Sequence, residues 1–265
     1  MTVRLWVAIL MAILGLAERS QARDPTLDQR LEALRSAYPN TIKAIEPNAI
    51  VLASGTRLVI DDGRTKDRHE KLAKPDIKDM LSQIYPVGKC AGITPPAPNF
   101  DPGRIRVTQL FTEMYGGSPA DVRARTTTID WFGERLAVTR INDVDKALLR
   151  VREELAHLPQ PLQKFFRKSA GTFNWRMIAG TSTPSMHAFA IAIDIDSKFS
   201  DYWRWSVGKS GAAKTYRNRI PREVVTAFER HGFIWGGAWY HYDTMHFEYR
   251  PELLAIGRLH EKAGC

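Results

Sequence analysis

Cysteine is scarce in this sequence: two residues in 265, Cys90 and the C-terminal Cys265. Two thiols allow one bridge at most, and neither sits in a His or Asp motif, so thiol catalysis is excluded. Long apolar runs are missing as well. Leu5 to Ala17 is the most extended, and it falls well short of the ~20 residues needed to span a bilayer. No glycine-rich phosphate loop, βαβ alternation, internal repeat or low-complexity tract occurs, which removes doubly wound nucleotide-binding folds and repeat architectures. Nor does a nucleic-acid-binding motif accompany the net charge of +9, so nucleic acid is not an expected partner.

What is present reads as an exported globular protein. Arg4, the apolar run and Ser20-Gln21-Ala22 have the layout of a signal peptide, residues 1–22, cleaved after Ala22. The mature protein is expected to be periplasmic or secreted, without stable membrane insertion, and a monomer. In an oxidising compartment Cys90 and Cys265 are expected to pair as a disulfide. The excess of basic residues suits either an anionic envelope polymer or an ordinary solvated surface.

Thr26-Leu-Asp-Gln29 is a capping box ahead of Leu27, Leu31 and Leu34 at helical spacing. Residues 50–52 and 58–60 flank Ala53-Ser-Gly-Thr56 as a β-hairpin. Residues 61–79 carry charges of both signs and read as a solvated loop leading into a short helix. Pro95-Pro-Ala-Pro98 marks a linker between an N-terminal cap region, 24–95, and a domain that carries the chemistry, 99–265. In that domain Val144, Leu148, Val151, Leu155 and Leu158 form one helical stripe, with Asp143 as N-cap and Pro159 as its end. Pro221 opens a second helix that buries Val224, Val225 and Phe228 and closes at Gly232. Residues 191–195 and 245–249 alternate like strands, and 173–178 reads as another. The mixture predicts an α+β fold: a small antiparallel sheet carrying a metal site, flanked by helices, with a helix-plus-hairpin cap.

Two segments stand out chemically. Ser185-Met-His-Ala-Phe-Ala-Ile-Ala-Ile-Asp194 is answered some fifty residues later by Asp243-Thr-Met-His246. Three of the four polar side chains can hold a zinc ion, and the fourth can take a proton from water. The seven-residue spacing of His187 and Asp194 excludes simple structures. A strand points them to opposite faces, and a helix sets them about 10 Å apart along its axis. The chain must therefore turn at Ala188 to Ala190, with Asp194 on the strand that follows. In the second segment His246 and Glu248 share one strand face, so Glu248 is placed to orient the imidazole. Two imidazoles with a carboxylate suit zinc better than magnesium or calcium.

The segment SMHAFAIAIDID resembles the Ser-x-His-x-x-Gly-x-Ala-x-Asp signature of the VanY-like zinc D-alanyl-D-alanine carboxypeptidases. YHYDTMHFEYRPEL is similar to that family's second motif, with an acidic residue three positions before the last zinc histidine. The resemblance implies zinc held by His187, Asp194 and His246, Asp243 as general base, and a peptidoglycan stem peptide as substrate. It also implies an arginine upstream of the first motif that stabilises the oxyanion, for which Arg176 is the candidate. Ser185 and His241 are candidate substrate contacts, Ser185 also as the shaper of the turn before His187. One position departs from the pattern: the family glycine is Ala190 here, which costs about 1 kcal/mol if the site requires positive φ.

Three alternatives remain at this level. The bond cleaved is either a terminal D-Ala-D-Ala bond or an L-Ala-D-Glu type bond within the stem. A non-catalytic cell-wall-binding zinc protein is the second alternative. A serine peptidase is the third, but its only trace is Ser206-Val-Gly-Lys209, where one lysine would have to serve two motifs.

Overall fold

The computed structural model describes residues 24–88, 91, 95–178, 180–206 and 215–263. The expected signal peptide and the expected Cys90–Cys265 bridge lie outside the described residues. Among those residues no helix is long and apolar enough to cross a membrane.

The chain opens with α1 (Leu27–Ala37), started by the expected capping box between Thr26 and Gln29 and burying Leu31 and Leu34. Each fully buried leucine contributes roughly 1.5–3 kcal/mol. The predicted hairpin is present as β2 (Ala49–Leu52) and β3 (Arg57–Val59), but β1 (Ile42–Glu46) joins it to make a three-stranded antiparallel meander. Residues 27–59 thus form a helix plus meander where a helix plus hairpin was expected.

Residues 61–67 form the expected loop, exposed except for buried Lys66 and half-buried Asp61. It leads into two short helices where one was expected, α2 (Arg68–Ala73) and α3 (Ile77–Met80), each with its own capping box. Lys66 is buried between them and reaches Asp62, Asp76 and Asp79 at 2.7, 3.1 and 2.7 Å. The opposite charges neutralise each other locally, which allows them to leave water. Asp61, the remaining acidic residue of this cluster, pairs with Lys78 at 2.6 Å.

After the proline-rich stretch come α4 (Thr108–Tyr115), α5 (Pro119–Ala124) and a hairpin of β4 (Thr126–Trp131) and β5 (Glu134–Thr139). The apolar stripe forms α6 (Val144–Ala156), burying Val144, Ala147, Leu148, Val151 and Leu155. Asp143 occupies the N-cap position but makes no capping hydrogen bond; its carboxylate pairs with Lys146 instead. The short α7 (Gln160–Gln163) follows Pro159.

The sheet that matters for chemistry has four antiparallel strands in the order β6 (Ser169–Gly171), β7 (Ala192–Ile195), β9 (His246–Tyr249), β8 (Phe233–Trp235). The expected strand over 173–178 is absent. Its one bridge joins Met177 to Pro184, flanked by bonds from Ile178 N–H to the Thr183 carbonyl and from Ser185 N–H to the Arg176 carbonyl. Regular pairing stops where the partner segment enters a 3-10 turn at Met186 and His187 gives its N–H to Ser185 Oγ. Helix α8 (Arg222–Arg230), buried through Val224, Val225 and Phe228, covers one sheet face, with Phe228 stacked on Phe247 at 3.8 Å. Asp194 and His246 occupy the other face.

The C-terminal helix α9 (Pro251–Lys262) packs against α1 and against the segment around Tyr85. A Cβ on Gly257 would lie 2.3 Å from the Tyr85 carbonyl oxygen, so only glycine permits that approach. Tyr38 donates to Glu252 at 2.7 Å and Tyr85 to Glu229 at 2.7 Å, both buried.

Candidate metal centre

His187 rides on a short 3-10 turn, Met186–Phe189. Ser185 precedes it, and its hydroxyl accepts the His187 N–H, so Ser185 shapes this turn. Phe189 plugs the turn into the core between Phe111, Tyr115 and Trp175, with ring centroids 6.0, 6.3 and 6.5 Å away. Ala190 then adopts φ 56°, ψ 33°, and the chain reverses into β7. The turn demanded by the His187–Asp194 spacing is there, and the family glycine position does need positive φ.

Alanine survives at that position because two effects nearly cancel. The left-handed conformation costs roughly 1–2 kcal/mol. The Ala190 methyl is fully buried, which returns about 0.8 kcal/mol, and glycine would add about 0.5–1 kcal/mol of unfolded-state entropy. Ala190→Gly is therefore expected to change stability by less than about 1 kcal/mol. Ala190→Val, β-branched at positive φ and overpacked, should cost a further 1–3 kcal/mol or so. Thermal denaturation of the two variants checks both statements.

Asp194 and His246 are direct register partners across β7 and β9, so their side chains stand next to each other on one face. The His187 turn brings the third group over them. His187 Nε2 lies 3.2 Å from Asp194 Oδ1 and 3.2 Å from His246 Nδ1, and His246 Nδ1 lies 3.0 Å from Asp194 Oδ1. Three donors each about 2 Å from one ion at tetrahedral angles stand about 3.3 Å apart, so the trio fits zinc.

The outer hydrogen bonds supply the stronger test. His187 Nδ1 is 2.6 Å from the Thr172 carbonyl, which only accepts, so Nδ1 carries the proton and Nε2 presents a lone pair. His246 Nε2 donates to Glu248 at 3.0 Å, leaving its Nδ1 as a lone pair. Two lone pairs and a carboxylate oxygen therefore converge on one point with no proton among them. That arrangement calls for a cation. Without one, His246 must hold a proton: burial opposes this, but hydrogen bonds to Asp194 and Glu248 outweigh it and push its pKa up to about 9. Burial likewise opposes ionisation of Asp194, yet the two imidazoles beside it hold its carboxyl well below the usual range.

Asp243 stands half-buried beside this trio, with its Oδ1 shielded from solvent, but is not one of the converging donors. Its backbone N–H donates to the Gly236 carbonyl at 3.0 Å, and a Cβ on Gly236 would lie 2.6 Å from the Asp243 carbonyl oxygen. Its Oδ1 has no hydrogen-bond partner. Burial pushes the carboxyl up, the neighbouring His246 pulls it back, and Asp194 adds to the rise. A cleft of about 110 Å³ opens here, lined among others by Arg104, Arg176, Ser185, Trp239, Asp243 and His246.

The remaining expected residues are placed as follows. Arg176 is exposed at the cleft, on the loop after β6. His241 does not line it; its ring packs on Trp203 and its Nδ1 meets Asp101 at 2.8 Å. Ser206, from the serine-enzyme match, has its hydroxyl bonded to the Trp203 carbonyl and the Tyr242 hydroxyl, while Lys209 lies outside the described residues.

Sequence reasoning found Glu248 but missed its partners. Glu248 is fully buried and meets Arg106 at 2.8 Å and Arg250 at 3.1 Å. Burial would raise its pKa, but Arg106 and the His246 hydrogen bond bring it down to about 2. Arg250 continues to Glu252, which accepts from Tyr38, so a buried polar chain runs from His246 to the end of α1. Arg250 was legible as lying two residues beyond Glu248 on the same strand edge; Arg106 gave no such signal. No curated protein and no solved structure matches this chain. Residues 179–249, which carry both motifs and all four central side chains, match the D-alanyl-D-alanine carboxypeptidase family model.

Proposed function

We propose that the protein is a zinc-dependent peptidase that hydrolyses peptidoglycan stem peptides outside the cytoplasm, with removal of the terminal D-alanine as its principal reaction. The family match supports a peptidase. The observation that carries the zinc reading is the convergence of His187 Nε2, Asp194 Oδ1 and His246 Nδ1 within 3.0–3.2 Å of one another.

His187, Asp194 and His246 would hold the ion, and zinc so held supplies Lewis acidity to water and to the peptide carbonyl. The chain's own residues do the rest. Asp243 accepts a proton from the attacking water and returns it to the leaving amine; its burial makes it a stronger base than a solvated aspartate. Arg176 opposes the negative charge that develops on the carbonyl oxygen. Trp239, with its ring 5.6 Å from that of His246, keeps bulk water from one side of the cleft.

Mass spectrometry of muropeptides incubated with the protein, with and without a chelator, tests this reading. Loss of one alanine is expected, abolished by the chelator, restored by added zinc and indifferent to β-lactams. Chelator-resistant turnover blocked by a β-lactam would replace the zinc mechanism with a serine one.

A further inference from the structure

We propose that Arg104 binds a free α-carboxylate on the residue that leaves with the new amine, and so selects which peptide bond is cut. The proposal rests on the peptidase reading above and specifies what that cleft recognises.

Arg104, Arg106 and Arg176 all line the cleft beside Asp243 and His246. Arg106 is neutralised by Glu248. Arg104 has no carboxylate partner among the described residues. Its Nη2 donates to the His241 carbonyl at 3.1 Å, and its buried Nε has no partner at all. A buried guanidinium N–H left unpaired is unfavourable unless a ligand completes it.

The group is nevertheless held in place. Its guanidinium carbon lies 4.3 Å over the Trp239 ring, and the Trp239 indole N–H is tied to the Pro102 carbonyl at 2.7 Å. The Arg104 backbone N–H donates to the Asp101 carbonyl, and the Asp101 carboxylate accepts from both the backbone and the ring of His241. Tyr240 donates to the Phe100 carbonyl at 2.7 Å. Segments 100–104 and 239–241 are thereby clasped together, which fixes the plane of the guanidinium before any ligand arrives. His241, expected from the sequence to touch substrate, acts here as a positioning residue for Arg104.

A planar, pre-positioned guanidinium that makes no salt bridge among the described residues, with the Asp243 charge acting on it only through space, matches a carboxylate, whose two oxygens accept its parallel N–H groups. An ordinary internal peptide offers only neutral carbonyls next to the scissile bond. A free α-carboxylate occurs there in two cases. The leaving residue is either the C-terminus or a glutamate that continues through its γ-carboxyl. The same chemistry therefore admits a terminal D-Ala-D-Ala bond and an L-Ala-γ-D-Glu bond, and excludes α-linked internal bonds.

Calorimetric titration of the zinc-loaded, full-length Asp243→Asn protein separates these cases. Four probes are used: acetyl-L-Lys-D-Ala-D-Ala, its C-terminal amide, L-Ala-γ-D-Glu-L-Lys, and its α-amide. At least one acid is expected to bind about ten- to a hundredfold more tightly than its amide. The pair that shows the difference names the source of the carboxylate. Adding Arg104→Gln should bring that ratio close to one with zinc content unchanged, Arg104→Lys should retain part of it, and Arg176→Gln should leave it intact. A ratio near one with Arg104 present, a ratio that persists in Arg104→Gln, or no binding of any probe overturns the proposal. Hydrolysis of the same four peptides by the unsubstituted protein is scored separately. Acid-selective binding without any hydrolysis would retain the carboxylate site and reject the peptidase reading.

Discussion

Asp243→Ala is expected to lower kcat on a D-Ala-D-Ala peptide by roughly 10²–10⁴, the range contributed by a positioned general base. Zinc content should stay that of the unsubstituted chain, because Asp243 lies outside the trio of converging donors. Stability should not fall, and it should rise slightly. The substitution removes a buried carboxylate whose Oδ1 is unpaired and whose ionisation burial opposes, and burying such a group unpaired is costly. Elemental analysis, kinetics and a melting curve on one preparation suffice. Zinc lost in parallel with activity would make Asp243 a ligand. Turnover unaltered within error would remove it from the reaction. Glu248 is poorly placed to substitute, since His246, Arg106 and Arg250 already occupy its oxygens.

Glu248→Gln is expected to have the largest effect on the protein as a whole. The carboxylate balances two buried arginines and fixes the His246 tautomer at once. Burial has already drawn Arg106 down to about 10, and it is sustained chiefly by the Glu248 charge. A neutral amide leaves Arg106 beside Arg250 with only Glu252 to share. Breaking such a buried pair costs about 3–5 kcal/mol. Loss of the carboxylate behind a metal-binding imidazole weakens metal affinity about 10–100-fold. Denaturant unfolding of the metal-free protein and a zinc titration measure the two effects separately. An unchanged unfolding midpoint would show that the buried network carries no net stability. Unchanged zinc affinity would show that His246 is oriented by its strand alone.

Much of the site was legible because its logic is local. The His187–Asp194 spacing forbids a continuous helix or strand, and the chain indeed reverses at Ala190. Alternation in the second motif placed His246 and Glu248 on one face, where they are hydrogen bonded. Capping at Thr26 and the α8 stripe were read from periodicity alone. The errors have equally local causes. Residues 173–178 looked like a strand because they alternate, but after a single bridge their partner segment turns away into the 3-10 turn at Met186. Residues 61–67 do form a largely solvated loop, but the sequence does not reveal that Lys66 within it is buried against three aspartates.

The sequence by itself determined the turn between His187 and Asp194 and the strands that carry Asp194 and His246, since each depends on residues within about ten positions of one another. The two motifs, 59 residues apart at His187 and His246, were joined only by the resemblance. Tertiary structure alone decided how those donors are held and what faces them. Arg106 and Glu248 are 142 residues apart, and Arg104 reaches the His241 carbonyl across 137. Contacts at such separations leave no period in the chain. Whether an arginine ends in water, on a glutamate or open to a cleft depends on which segments the core brings together, and that choice is made only when the whole apolar surface is buried.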